Sequence, residues 1–254
     1  MPAEADPALV EIWAQGWALT REVAPPVAVP GGWRIEVGLP DQVRRFVYPA
    51  AGEAVAERGR SIDQPFELIK VATLRDAVRP LLDDRWVLGP SAYMMTRQPF
   101  AAAPSGAPCE NLPLPFGERV GRGVATNDTA HGHPSPQPSP LRGEGEVAPV
   151  YHLTLEAISS HLTLTTILTR DADLAASGRL GLVGDVAIYD RIRVQDAHQR
   201  RGLGRALMIA LGEVANRAGA ARWVLVATPE GRALYETLGW AVHAHYTTAF
   251  IPPA

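Results

Sequence analysis

Cysteine is nearly missing from this chain of 254 residues: Cys109 stands alone, so no disulfide can form within it. Charge of one sign is missing too. With 24 basic and 27 acidic side chains the formal net charge is -3, which gives the whole molecule no electrostatic reason to hold nucleic acid. No apolar run approaches the ~20 residues of a membrane-spanning helix. The first twenty residues, MPAEADPALVEIWAQGWALT, lack a basic stretch followed by an apolar one, so no secretory signal is expected and the expected location is cytoplasmic. What is abundant is proline and glycine, 23 of each, on a 46% hydrophobic background that suffices for a packed core.

Much of that proline and glycine falls between about Pro99 and Pro149, where hydrophobic periodicity also disappears. Such a composition cannot bury enough apolar surface to offset the entropy of ordering it, and a flexible insertion is expected over 99–149. Two of its pieces, LPLPFGERVGRG and SPQPSPLRGEGE, resemble the translated arms of an inverted repeat of the mobile kind found in some bacterial genomes. The chain then divides into an N-terminal α/β domain over 1–98, the insertion, and a C-terminal domain over 150–254.

The C-terminal part has the clearest periodicities. YHLTLEA, LTLTTILTR, LAASGRLGLVG and VAIYDRIRV alternate as strands do, and a helix follows from about Leu203 to Ala218 with Leu203, Leu207, Ala210, Leu211 and Val214 on one face. Gly219 closes it in the manner of a left-handed cap. RWVLVAT then predicts a buried strand, PEGRALYETLG a helix with Pro229 in its first turn, and WAVHAHYTTAFI one or two closing strands. The N-terminal stretch Leu68 to Arg97 shares with Val224 to Phe250 a Val-Ala-Thr, a helix-length segment, a Trp and an aromatic strand. Duplication produces such self-similarity, and so does the chance likeness of any two strand-helix-strand units. If there are two copies, only the second has a glycine-rich turn.

That turn, QRRGLGR at Gln199 to Arg205, enters the helix at Leu203. The first amides of a helix have no internal partner and its dipole adds positive charge there, so the mouth of a helix suits an anion. Gly202 and Gly204 remove side chains that would block a phosphate, and Arg200, Arg201 and Arg205 add charge around it. A P-loop would need Lys and Ser or Thr where Arg205 and Ala206 stand. A dinucleotide-binding turn would need a third glycine where Leu207 stands.

The pattern Gln-x-x-Gly-x-Gly followed by Arg205-Ala206, after a strand ending Ile192-Arg193-Val194, resembles the pyrophosphate-binding motif of the GNAT superfamily of acetyl-CoA-dependent N-acyltransferases. A second motif, Tyr235 with Gly239 and Trp240 in ATPEGRALYETLGW, strengthens the resemblance, which covers roughly Tyr151 to Ile251. It implies a GNAT-like α/β fold, a mixed, mostly antiparallel sheet flanked by helices; the smaller N-terminal α/β domain before it is a degenerate copy if the self-similarity reflects duplication. It implies that Gln199, Arg200, Arg201, Gly202, Leu203, Gly204 and Arg205 hold the diphosphate of coenzyme A, and that the backbone of Ile192, Arg193 and Val194 pairs with the pantetheine arm where two strands part. Acetyl-CoA is then the cosubstrate and a primary amine of a small molecule or protein the acceptor. A coenzyme A-binding sensor without catalysis is the competing class.

Acetyl transfer to an amine requires loss of a proton from nitrogen and gain of one by the departing thiolate. Tyr235 suits the second task, a phenol of pKa about 10 facing a thiolate of about 8.5. Asp190 is the first choice for the base and Asp185 the second, with relay through water needing neither, and a backbone amide near Val194 suits the oxyanion. Asp196 stands where the family often has proline. AISSH, between the first two C-terminal strands, is too short for the two helices that wall the family's acceptor site, so that wall comes from the N-terminal hundred residues or from a partner subunit in a homodimer. His243 and His245 share a strand face without a third ligand, so no metal is expected. Trp13, Trp17 and Trp33 read as core anchors.

Overall fold

The computed structural model describes residues 5–99 and 151–253. The expected insertion, with Cys109, lies outside the described residues apart from Pro99. Chain order begins with helix α1 (Pro7–Arg21), strands β1 (Val27–Val29), β2 (Gly32–Leu39) and β3 (Gln42–Tyr48), helix α2 (Glu53–Ser61) and β4 (Glu67–Val71). A four-residue helix α3 (Arg75–Val78), a 3-10 turn, and strands β5 (Val87–Leu88) and β6 (Ala92–Arg97) complete the first half. The second half holds β7 (Tyr151–Ser159), β8 (Leu162–Thr169), β9 (Leu174–Val183), β10 (Val186–Val194), α4 (Leu203–Arg217), β11 (Arg222–Ala227), α5 (Pro229–Thr237) and β12 (Ala241–Phe250). The fold is a mixed α/β one with a large, mostly antiparallel sheet and helices on both faces, as the sequence led one to expect. Among the described residues no helix is long and apolar enough to cross a membrane.

The elements form where local chemistry places them. Asp6 caps α1, its carboxylate accepting from the Ala8 amide at 3.0 Å, and Pro7 starts the helix with φ already set. Gly219, at φ 72°, ends α4 in the left-handed conformation that a side chain resists. WAVHAHYTTAFI makes one strand, with a register shift between Val242 and Ala244.

All strands share one sheet in the order β1-β2-β3-β4-β12-β6-β11-β10-β9-β8-β7, with β5 on β12. Among the described residues only β3 with β4 and β10 with β11 run parallel. The order is palindromic about its centre: β12 and β6 pair antiparallel, each then pairs antiparallel with β4 or β11, and each of those lies parallel to β3 or β10. The segments that look alike in sequence hold mirrored places, β4 with β11 and β6 with β12. The last strand of each half is thereby inserted in the sheet of the other.

Alternate residues of a strand face opposite ways. Val186 and Ile188 pack with α1 through Trp13, Trp17 and Tyr246, whereas Ala187 and Tyr189 pack with α4 and α5 through Trp223, Leu211 and Tyr235. In the first half Val47 faces α1, while Phe46 and Ile69 face α2 and Trp86. So α1 lies alone on one face, touching β2 and β3 from the first half and β9 and β10 from the second. Trp13 and Trp17 are buried core anchors, and Trp33 is partly buried against them.

Candidate functional site

β10 pairs with β11 from Val186↔Arg222 to Tyr189↔Leu225. Beyond that β10 runs on to Val194 and β11 to Ala227 without pairing, so the two strands part. The cause is local. On its other side β10 pairs with β9 at Asp190↔Arg179 and next at Arg193↔Ser177, one residue longer on β10 than on β9. Arg191 takes up the excess at φ 53°, and a bulge of this kind bends a strand away from its neighbour. Ile192 and Val194 then pack beneath α4, and the Gln195 amide donates to the Ala175 carbonyl at 2.9 Å.

A 3-10 turn over Asp196–His198 leads to the glycine-rich segment. Arg200 and Gly202 both adopt positive φ, 58° and 76°, which turns the chain sharply into α4. Gly202 is the N-cap and offers no side-chain acceptor, so the amides of the first turn project without a cap. Leu203 is buried and pins the turn to the core. Gly204 has a packing role that the sequence did not reveal: a Cβ there would stand 3.1 Å from Leu234 Cδ2 and 3.6 Å from Val194 Cγ2, so its absence lets α4 approach α5 and β10.

The polar side chains of the turn do not all converge. The Gln199 amide donates to Asp196 Oδ1 at 2.9 Å, and Arg201 Nη1 donates to the Tyr151 hydroxyl at 3.3 Å, which in turn lies 3.1 Å from His198 Nδ1. Arg200 and Arg205 are exposed beside the bare helix end.

Tyr235, on α5 after β11, and Asp190, on β10, lie near enough for the carboxylate to act on the phenol. Thr228 caps α5, accepting from the Gly231 amide at 3.2 Å, and so orients the helix that carries Tyr235. The Tyr235 ring is buried and packs on Trp240. Burial, and secondarily the Asp190 carboxylate, push its phenol up to about 12. Asp190 is held firmly. Arg21 Nε donates to its Oδ2 at 2.7 Å and Nη2 to its Oδ1 at 3.2 Å, and Thr20 Oγ1 donates to Oδ2 at 3.1 Å. Both of its oxygens are therefore already engaged by α1. Asp185 sits elsewhere, in the β9–β10 turn at the closed end of the strand pair, where its carbonyl accepts from the Ala221 amide.

Thr20 and Arg21 are residues that sequence reasoning missed. They end α1, whose position on β9 and β10 shows that the first half contributes the structure over this face. Arg179 tightens the junction by donating to the Thr20 carbonyl at 2.6 Å and to Glu22 at 2.7 Å. His243 accepts from the Asp6 amide at 3.2 Å and His245 packs against Tyr93.

Three buried tyrosines give a stability signature. Burial raises the phenols of Tyr235, Tyr189 and Tyr246 above the ordinary 10. An acid whose folded pKa is raised contributes stability that is complete below its unfolded pKa and lost as pH climbs toward the folded value. Urea unfolding should therefore give a free energy that is flat with respect to these groups up to about pH 10 and falls steeply by about pH 11. A flat profile through that window would show the phenols to be solvated.

Residues 163–242 match the family model of the acetyltransferase (GNAT) domain. A GCN5-related N-acetyltransferase from Kribbella flavida superposes over 99% of this chain and 98% of its own, with TM-score 0.56 at 11% identity. A GNAT-family protein from Novosphingobium aromaticivorans does so over 98% and 100%, with TM-score 0.53 at 12% identity. No curated protein sequence matches the chain. At such identities the likeness is one of fold, while the family match rests on the segment from β8 to β12 that holds the bulge, the turn and Tyr235. Residues 163–242 thus resemble the GNAT acetyltransferase domain, and the likeness of fold to GNAT-family structures extends over nearly the whole chain.

Proposed function

We propose that the protein is an acetyl-CoA-dependent N-acetyltransferase acting on a primary amine. The observation that carries this is the parting of β10 from β11 at the Arg191 bulge, directly ahead of an uncapped helix end flanked by Arg200 and Arg205. A diphosphate fits the amides of Leu203, Gly204 and Arg205, where dipole and guanidinium charge add. The unpaired edge of β10 at Ile192, Arg193 and Val194 offers main-chain donors and acceptors to the amide-bearing pantetheine arm. Gln199, Arg201 and Gly202 shape the turn around the diphosphate.

The thioester carbon then lies in the split between Asp190 and Tyr235. The amine nitrogen bonds to that carbon, the carbon–sulfur bond breaks, and the thiolate takes the proton of the Tyr235 hydroxyl, which water restores. With its phenol at about 12, Tyr235 stays protonated until it is asked to donate. Asp190, already bonded to Arg21 and Thr20, orients the acceptor amine by hydrogen bonding, and the amine's proton leaves through water. An amide near Val194 faces the oxyanion.

Calorimetry with coenzyme A, followed by thiol release from acetyl-CoA across a panel of amines, tests this reading. Arg205→Glu, an exposed substitution, should weaken coenzyme A about tenfold or more, equivalent to about 1.4 kcal/mol. Gly202→Val, which puts a branched side chain at positive φ, should remove binding. Unchanged affinity in both variants, or absence of coenzyme A binding by the intact protein, overturns the proposal. Binding with no amine turned over would make the protein a sensor.

A further inference from the structure

The chain has 23 arginines but a single lysine, Lys70. It does not stand on the surface, where a solvated ammonium would be placed at little cost. It stands on β4, on the same face as α1, and its Nζ lies 2.5 Å from the Thr248 hydroxyl of β12. Two guanidiniums from other elements face it: Arg45 on β3 and Arg21 at the end of α1. Arg45 is buried, 8% exposed, and stacked 3.8 Å above the Trp17 ring, with the Gln42 side chain accepting from its Nη2 at 3.3 Å.

Counterions are scarce in this group. Among the described residues the only carboxylate that acts on the cluster is Asp190, and Arg21 already holds it in a two-point ion pair. Arg45 and Lys70 are left with neutral partners. Burial and the neighbouring guanidiniums hold the Lys70 ammonium well below its ordinary pKa, as expected of a cation with no anion. An independent sign comes from Tyr246 on β12. Its side chain is buried against Trp13 beside Arg45, and among the described residues its hydroxyl has no hydrogen-bond partner. A buried polar atom without a partner costs about 1–3 kcal/mol, so a ligand oxygen there would be stabilised. The cluster still meets solvent, through Lys70 and through Arg21 and Asp190, whose side chains are 23% and 16% exposed.

We propose that Arg45, Lys70 and the Tyr246 hydroxyl bind a carboxylate of the acceptor, so that the acetylated amine belongs to a small, amino-acid-like molecule. This rests on the acetyltransferase reading above. The amine of the acceptor meets the split beside Asp190 and the cation cluster holds its carboxylate end, at adjacent places on the α1 face. After the Arg21–Asp190 pair cancels, the uncompensated charge suits one carboxylate. Arg45 supplies a planar fork already fixed by its stacking on Trp17, and Lys70 and Tyr246 supply single donors. The carboxylate site takes β3 and β4 from the first half of the chain and β12 from the second, so it assigns the half without a glycine-rich turn to acceptor recognition.

The experiment pairs each probe with a copy that lacks its negative charge: the standard L-amino acids, β-alanine and γ-aminobutyrate against their amides and decarboxylated amines. Thermal shifts with and without coenzyme A are read on the intact protein, so no variant has to fold. At least one carboxylate-bearing amine should raise Tm where its amide does not, and should be acetylated with kcat/KM at least tenfold above that amide. Tyr246→Phe and Lys70→Met should raise KM for that acceptor tenfold or more with kcat changed less, and bring the carboxylate-to-amide preference near one. Equal shifts and equal turnover for acids and amides, no shift from any carboxylate-bearing amine, or variants that slow both series alike, each overturn the proposal. Because the shifts are also read without coenzyme A, failure of this site is distinguishable from failure of cofactor binding, which calorimetry reports separately.

Discussion

Tyr235→Phe should lower kcat for amine acetylation by about 10²–10³-fold while leaving coenzyme A affinity within about twofold, as expected when a positioned proton donor is removed. The substitution deletes one oxygen and keeps the ring, so packing against Trp240 and the buried apolar surroundings persists. What is lost is a proton held at the split by a phenol that burial and the nearby Asp190 charge keep from ionising. The pH profile separates this role from a structural one. An ordinary tyrosine would begin to lose its donor function near pH 10, whereas here the alkaline limb set by Tyr235 should lie toward about 12. Weakly basic thiolate surrogates as leaving groups should be less affected by the loss, because they need the proton less. Full activity in Tyr235→Phe with such a leaving group and with coenzyme A alike would remove the residue from the mechanism.

Gly16→Val should destabilise the protein by about 3 kcal/mol or prevent folding, at the upper end of overpacking costs. Gly16 lies in the middle of α1, where glycine ordinarily costs helix stability. Its backbone rests directly on β10, and any Cβ would overlap the Ile188 side chain, which is itself fully buried. Relief would require α1 to lift from the sheet, and Thr20 and Arg21 would then leave Asp190. Denaturant unfolding measures the first effect. A variant that retains wild-type stability would show that α1 is not seated as described. In a variant that folds but is loosened, acetylation should fall further than coenzyme A binding, because the turn at Gly202 belongs to the opposite face of β10.

Much of the second half was legible because its signals are local. Alternation in VAIYDRIRV, the stripe of Leu203, Leu207 and Leu211, and glycines at the ends of α4 and α5 are each explained by a few neighbouring residues. The turn before α4 was legible for the same reason, since bare amides and positive φ follow from Gly202 itself. The Arg191 bulge was not, because nothing in Asp-Arg-Ile-Arg says which residue of a strand will be the extra one. Its position is decided by the partner strand, where Gly178 gives room to Ile192. Thr20, Arg21, Arg45 and Lys70 were hidden for a further reason. Each looks like an ordinary residue at the end of a helix or in a strand, and only a fold that brings β3, β4 and β12 to α1 makes them neighbours of Asp190. Asp190 could be found in the sequence, but the guanidinium that holds its carboxylate lies 169 positions away.

The exchange of β6 and β12 ties the fortunes of the two halves. β11, one wall of the parting strands, is propped along its other edge by residues 92–97, so any change of register in β6 reaches the split from the half that has no glycine-rich turn. A recombination that replaced one half by a foreign relative would have to match strand register on both sides of the sheet's centre, and a descendant that discarded the first half would leave β11 without its neighbour β6.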